Sequence, residues 1–277
     1  MGNLYIIIVL YNPTNEQISH LKKLATAYNI VAIDNSEKTS LSQDEISERV
    51  CYIPLMNNCG IAKAQNVGII KCKELRAKYI LFLDQDTKIN LDVPNKLLTD
   101  FISLEKYSKK IAALGPSVKN IDTNKYYKKG SKTLVKENYL ICSSLISSGM
   151  LIPVTAFDDI GFMDEYLFID YVDHEWCWRA ASKGYYCYMD LSVNINHKIG
   201  KKAISICGLS FIISAPNRYY YQYRNSILLI TKKYVPWKWK IKTCIRNIIQ
   251  PLIILWFCKQ PLLSFKYMLK GVLAGIK

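Results

Sequence analysis

Two carboxylates stand at i and i+2 where a hydrophobic run ends, in Leu81-Phe82-Leu83-Asp84-Gln85-Asp86. Hard divalent cations such as Mg²⁺ or Mn²⁺ take carboxylate oxygens at such an exposed edge, together with phosphate oxygens from a substrate. The pair is therefore a candidate metal site. The same residues also suit an ordinary strand-ending turn, because aspartate favours turns.

A second run, Asn57-Asn58-Cys59-Gly60-Ile61-Ala62-Lys63-Ala64-Gln65-Asn66-Val67-Gly68, gathers small residues where a helix begins. Small side chains let a backbone approach a nucleotide closely, and a helix N-terminus favours phosphate. Close packing of helix on strand would use the same residues. His197, in Asn196-His197-Lys198-Ile199-Gly200, is a lone histidine that suits a packed, a surface or a ligand position. Tyr220, Arg224 and Asn225 lie in the run RYYYQYRNS. There an arginine can grip a diphosphate and aromatics can stack on a sugar or base, or the run can be an aromatic helix face with solvated cations.

The elements that must position these groups show in the hydrophobic pattern. Short continuous apolar runs at 4–10, 30–33, 52–54 and 79–83 alternate with segments of helical periodicity at 14–28 and 62–78. That alternation predicts parallel strands covered on both faces, an α/β fold. Thr14 with Gln17 resembles a capping box at the first helix. The polar residues Tyr11-Asn12, Asp34-Asn35 and 84–86 then fall at strand C-termini, the edge where open α/β sheets bind ligands. After a further apolar run at 111–114, the polar, lysine-rich stretch 119–138 reads as an excursion, since long loops often serve as lids or binding elements. Apolar positions return at 145–153 and 162–178, where a helix carrying Asp173, Glu175, Trp176 and Arg179 is expected.

Charge separates the two ends of the chain. Of its 277 residues, 1–180 hold 21 Lys and Arg against 21 Asp and Glu, while 181–277 hold 16 against 1. The basic, aromatic-rich tail reads as a surface for anionic lipid or another polyanion. A domain boundary is expected at 204/205, with a basic amphipathic segment at 205–277 that is mostly helical. The most apolar stretch there, 251–258, is far shorter than the roughly 20 residues of a spanning helix. The nine cysteines form no Cys-x-x-Cys pair and no metal-ligand spacing, which points to reduced thiols in a cytosolic compartment. The apolar run 4–10 has no preceding basic region or cleavage site and reads as a buried strand, not a signal peptide.

Six motifs in order, VLYNP at 9–13, IDNS at 33–36, NNCGIAKAQNVGI at 57–69, LFLDQD at 81–86, SSGMLIP at 147–153 and GFMDEYLFIDYVDHEWCWR at 161–179, resemble the GT-A-fold (Rossmann-like) family-2 glycosyltransferases. In detail they look like the rhamnosyltransferase branch, and the similarity spans residues 1 to about 230. The resemblance implies that Asp84 and Asp86 bind the metal, with His197 completing the site. It implies that Tyr11, Asn12, Asp34 and Gln85 meet the donor, and that Gly60, Ala62 and Gln65 lie along it, although Gly60 and Ala62 also suit a structural role. Arg224 would contact the diphosphate, while Ser148, Gly149 and Trp176 would shape the acceptor side. Asp173 matches the catalytic base, with Asp170 and Glu175 as rivals. Val172 stands where many relatives carry an acidic residue.

An inverting transfer needs one base and a stabilised diphosphate leaving group, with no enzyme nucleophile. The resemblance points to dTDP-L-rhamnose as donor and to a lipid-linked saccharide acceptor at the inner face of a bacterial membrane, in surface-polysaccharide assembly. A UDP-hexose or UDP-galactofuranose donor is the alternative, and no nucleic acid is expected as a partner. Two readings of other classes stand beside it. An aspartyl-phosphate phosphatase would need Asp-x-Asp-x-Thr, but Thr87 falls one residue early and Lys88 takes its place. A non-enzymatic basic module for membrane or nucleic acid would explain the tail and leave the six motifs without purpose.

Overall fold

Leu4–Leu10 forms the first strand, β1, and its run of branched aliphatic residues is buried on both faces: Ile6, Ile7 and Ile8 are each almost wholly inaccessible. Ile6 and Ile8 pack with Leu21 and Leu24 of the helix α1, Asn15–Ala25. Ile7 points to the other side, where a Cβ added to Gly68 would lie 2.8 Å from its Cγ2, so the second helix lies directly on the strand. This computed structural model describes residues 3–42, 46–120, 134–135, 138–197, 203–206 and 209–276. Their contacts divide the chain into two units, Met1–Phe168 with Val172–Lys198 and Ile169–Tyr171 with Ile199–Lys277. The division falls ahead of the expected 204/205 boundary and draws residues 169–171 into the second unit.

In the first unit β1 is followed by β2 (Asn29–Asp34), β3 (Val50–Pro54), the helix α2 (Ile61–Glu74) and β4 (Tyr79–Asp84). These four strands are parallel, as the sequence pattern predicts. Beyond them come α3 (Val93–Leu104), β5 (Ile111–Asn120), β6 (Leu134–Val135), β7 (Tyr139–Cys142), β8 (Met150–Pro153), α4 (Ala156–Ile160), α5 (Val172–Ser182) and β9 (Tyr186–His197). All nine strands form one sheet in the order β3-β2-β1-β4-β8-β5-β9-β7-β6. The second half is mixed, because β8 inserts antiparallel between β4 and β5. The capping box is present: Thr14 Oγ1 accepts from the Gln17 amide, and Gln17 Oε1 accepts from the Thr14 amide at 2.8 Å. The helix expected over 62–78 stops at Glu74, because Arg76 takes a left-handed φ of 55° that turns the chain into β4. Most of the 119–138 excursion lies outside the described residues. The described cysteines are free thiols.

The second unit contains the hairpin β10 (Ala203–Ile206) and β11 (Leu209–Ile212), then three helices, α6 (Pro216–Thr231), α7 (Trp237–Phe257) and α8 (Pro261–Ile276). Helix α8 meets α6 through Gly271 and Gly275. At Gly275 a Cβ would fall 2.8 Å from the Arg224 carbonyl, so only glycine permits that approach. Pro251 interrupts α7 and cannot donate to the Asn247 carbonyl four residues back. The Tyr223 hydroxyl donates to that carbonyl instead, at 3.1 Å. No helix among the described residues is long and apolar enough to cross a membrane.

Candidate active site

The strand ends are joined by amide and hydroxyl side chains. Gln85, just past β4, accepts from the Tyr11 amide at 2.8 Å and donates to the Tyr11 carbonyl at 3.1 Å. One side chain thus extends the β1–β4 pairing and fixes the Tyr11-Asn12 turn beside the carboxylate turn. Asn12, with φ 45°, donates its amide to Ser36 Oγ at 2.8 Å. Asn35 in turn donates to Asn58 Oδ1 and accepts from the Cys59 amide at 2.8 Å, tying the end of β2 to the entry of α2.

Asp34 is wholly buried and organises the loop after β2. Its Oδ1 accepts from the Ser36 amide at 3.1 Å, and its Oδ2 accepts from the Ser40 amide at 2.7 Å and from the Tyr52 hydroxyl. Burial works against its charge, but the hydrogen bonds from Ser36, Tyr52 and Ser40 outweigh that and hold the carboxyl below its ordinary range. The structure thus uses Asp34 to shape the wall of the expected nucleoside side.

Asp84 is half-buried and Asp86 exposed at the end of β4. Burial, then the charges of Asp86 and Asp173, push the Asp84 carboxyl up to about 7. Three carboxylates therefore share one electrostatic neighbourhood, the situation that a bound cation relieves, and their oxygens are the hard donors that Mg²⁺ or Mn²⁺ takes. The residues present fit such an ion. Among the described residues no three His, Cys, Asp or Glu side chains converge on one point. His197 ends β9, and its side chain lies outside the described residues.

Asp173 lies in the first turn of α5, where an acidic side chain favours the helix dipole. Its Oδ2 accepts from the Ser147 amide at 3.1 Å, and its Oδ1 accepts from the His174 amide at 2.8 Å and meets His174 Nδ1 at 2.7 Å. Its rivals are differently placed. Glu175 is buried in a two-point pair with Arg179, which also donates to the Ile160 and Phe162 carbonyls. Asp170, in the second unit, is gripped by Arg218 Nε and Nη2 at 3.0 and 2.8 Å.

Several expected contacts take other positions. Trp176 is wholly inaccessible, with its indole donating to the Gly161 carbonyl at 2.8 Å, so it presents no face to an acceptor. Ser148 is buried behind the carboxylate turn, where its Oγ accepts from the Asp84 amide at 3.3 Å and bonds Thr87. Gly149, at φ 84°, backs onto Pro116, whose Cγ would lie 2.7 Å from an added Cβ. Gly60, also at φ 84°, and Ala62 abut Phe168, whose carbonyl accepts from the Ala62 amide. Arg224 is buried in the second unit, bonding Asn225 Oδ1 and standing over the Tyr220 and Tyr221 rings.

Gln65 is nearly inaccessible and donates to Ser147 Oγ at 2.8 Å, so the chain Gln65–Ser147–Asp173 links α2 to the candidate base. Two contributors escaped the sequence reading. Ser147 stood within a quoted motif, but its amide bond to Asp173 spans 26 residues. Asn66 pairs with the Met163 amide and carbonyl and with Glu165, latching α2 to the loop before α5. Its position beside Gln65 in the small-residue run was the only available signal.

This fold, with carboxylates at the parallel strand ends, is that of the GT-A glycosyltransferases. It aligns with S. aureus TarS residues 1–349 in complex with UDP-GlcNAc at TM-score 0.58 and 14% identity, covering 98% of this chain and 81% of that one. It aligns with GalNAc-T7, solved with UDP, GalNAc and Mn²⁺, at TM-score 0.57 and 15% identity, covering 88% and 55%. In sequence the chain is 35% identical over 291 residues to the dTDP-rhamnosyl transferase RfbF of Shigella flexneri, covering 99% of this chain and 95% of that one. It is 26% identical over 196 residues to the low-salt glycan biosynthesis hexosyltransferase Agl10 of Haloferax volcanii, covering 65% and 62%. No family model matches the chain. The chain belongs to the family-2 GT-A glycosyltransferases, in their rhamnosyltransferase-like branch. It is a glycosyltransferase, which removes the phosphatase and the non-enzymatic readings.

Proposed function

We propose that this enzyme transfers L-rhamnose from dTDP-L-rhamnose, with inversion, onto a lipid-linked saccharide in the assembly of a bacterial surface polysaccharide such as O-antigen or capsule. The observation that carries the donor is the 35% identity, over nearly the whole of both chains, to a dTDP-rhamnosyl transferase. The chemistry rests on Asp173, whose charge reaches Asp84 at the strand edge while Glu175 and Asp170 are closed by arginines.

In a single displacement the acceptor oxygen bonds to the anomeric carbon as the bond from that carbon to the diphosphate oxygen breaks. Asp173 Oδ2 or Oδ1 takes the acceptor proton, contributing roughly 10²–10⁴-fold as a general base. The Ser147 amide and His174 hold that carboxylate in place. Asp84 and Asp86, with His197 as the expected third ligand, would hold a divalent cation, Mg²⁺ or Mn²⁺, which would supply Lewis-acid stabilisation of the leaving diphosphate. Gln85 and Ser148 keep the Asp84 turn rigid against β1 and β8, and the Asp34 loop forms the wall for the nucleoside.

The test is a donor panel with mass-spectrometric detection of nucleoside diphosphate release and of the transferred sugar, followed by assignment of the product anomer. Preference for the thymidine-linked donor with an inverted anomer is expected. The relationship to a hexosyltransferase favours, as second reading, a UDP-hexose or UDP-galactofuranose donor on the same metal and base. A higher kcat/KM for the uridine-linked donor would replace the first reading with the second. The excess of Lys and Arg over Asp and Glu in residues 181–277, 16 against 1, supports a cytoplasmic enzyme attached peripherally to the inner face of the cell membrane, with anionic lipid as a partner.

A further inference from the structure

We propose that the outward side of α7 and α8 is a second apolar face that inserts into the interfacial layer of an anionic bilayer. Each of these helices carries two apolar stripes. The inward one, with Ile253 and Ile254 on α7 and Met268, Gly271 and Gly275 on α8, is buried within the unit. The outward one is not covered. On α7 it comprises Trp237, Ile241, Ile245, Ile248, Leu252 and Leu255, spaced by three and four residues and so on one side of the helix. On α8 it comprises Leu262, Phe265, Leu269, Leu273 and Ile276, opposite the glycines. Exposure reaches 73% at Ile248, 84% at neighbouring Trp256 and 79% at Leu262. Large apolar side chains exposed in this number and at helical spacing mark an interaction surface.

Charge identifies the partner. An exposed lysine directly follows an outward apolar residue four times, in Trp237-Lys238, Ile241-Lys242, Phe265-Lys266 and Leu269-Lys270, so each stripe has cations beside it. No Asp or Glu follows Asp190 anywhere in the chain. A second copy docked face to face through the same helices would bring these cations together without a counter-charge on either helix. A surface of anionic lipid supplies both the apolar layer and the negative charge. Among the described residues no helix is long and apolar enough to cross a membrane, and amphipathic helices of this kind would lie in its plane. The face extends the basic-tail expectation, which rested on the charge and aromatic content of the tail, by adding a hydrophobic contribution that salt does not screen. The inference rests on the membrane-surface reading above for its purpose, and its test does not require that reading.

The experiment uses the full chain with vesicles of phosphatidylcholine alone and with about one third phosphatidylglycerol, the lipid content being of the order natural anionic leaflets carry. Sedimentation is expected to show binding to the anionic vesicles that weakens with salt but keeps a residual part at high salt. Brominated lipid is expected to quench tryptophan emission, with most quenching lost in Trp256→Tyr plus Trp237→Tyr. The pair Ile248→Asp and Leu273→Asp, with an unchanged circular dichroism spectrum, is expected to lower vesicle affinity about 100-fold or more. No binding, binding unchanged by the aspartates, or a wild-type dimer that the aspartates dissociate would each overturn the proposal. Transfer to a soluble, lipid-free acceptor separates the two readings. The aspartate variant is expected to retain it. Vesicle binding by an enzyme that transfers to no saccharide would leave this face standing and remove the proposed function.

Discussion

Arg179 closes a two-point ion pair around the buried Glu175, Nε to Oε1 at 2.8 Å and Nη2 to Oε2 at 2.9 Å. Because the arginine also serves the Ile160 and Phe162 carbonyls, the pair joins α5 to the chain after α4. Glu175→Gln is expected to leave a mostly buried guanidinium without its counter-charge and to lower stability by about 3 kcal/mol, measured by urea denaturation. Asp173→Asn is expected to change stability by less than about 1 kcal/mol and to lower kcat roughly 10²–10⁴-fold with donor affinity kept. The reverse pattern, with Glu175→Gln stable and inactive, would move the base to Glu175.

The raised Asp84 carboxyl gives a stability signature. A carboxyl that keeps its proton to about 7 in the fold, against 3.8 ordinarily, makes the folded state bind more protons than the unfolded one between those values. Its cost to stability is therefore absent below the lower value and grows as pH rises to the upper one. Asp84→Asn removes the cost, so the variant should be more stable than the parent above pH 7 by on the order of 2 kcal/mol, with no difference at acid pH. Thermal melts across pH measure this. Mn²⁺ should stabilise the parent and leave Asp84→Asn unmoved, and activity at limiting Mn²⁺ should rise with pH through the same window.

Gly60 is needed for conformation and for space. At φ 84° an L side chain is strained, and an added Cβ would lie 2.5 Å from Phe168 Cδ2 and 2.7 Å from the Phe168 carbonyl oxygen. Gly60→Ala is expected to cost about 2–4 kcal/mol. Adding Phe168→Ala should recover only part of that relative to Phe168→Ala alone, since the carbonyl and the φ remain. Full recovery in the double-mutant cycle would show that the ring alone excludes a side chain.

Trp176 separates a core role from an acceptor role. Trp176→Ala is expected to cost about 3–5 kcal/mol, as large aromatic deletions in cores do. Trp176→Phe keeps most of the packing against Phe157 and gives up the bond to the Gly161 carbonyl. Its KM for acceptor is expected to match the parent. A selective rise in acceptor KM, with stability kept, would restore Trp176 to the acceptor side.

How much could be read without coordinates varies along the chain, and range of interaction is the reason. β1 follows from seven consecutive residues, since a run apolar on both faces needs cover on both faces. The Thr14–Gln17 box closes within three residues. The strand-end position of Asp84 and Asp86 is likewise local, and the ordered motifs named the family from residues alone. Where 3.6-residue periodicity is the signal, the sequence determined that the segment after 205 is mostly helical. It did not determine that α7 and α8 each carry an apolar stripe on both sides, because a stripe pattern does not say which side finds a neighbour.

Tertiary structure alone decided which acidic and polar residues are spent on the fold. Asp170, Asp173 and Glu175 are the same chemistry within six residues, and they differ by their partners: Arg218 lies 48 positions from Asp170, and Ser147 lies 26 from Asp173. Ser148 and Trp176 sat in the right motifs and turned inward, the first to brace the Asp84 turn and the second to fill the core. The antiparallel β8 between β4 and β5 was equally invisible, since strand pairing is settled between segments far apart in sequence. Local patterns decide what an element is. The hydrogen bonds and charges that burial forces to find partners decide which side chains remain for chemistry, and those partners are chosen in three dimensions.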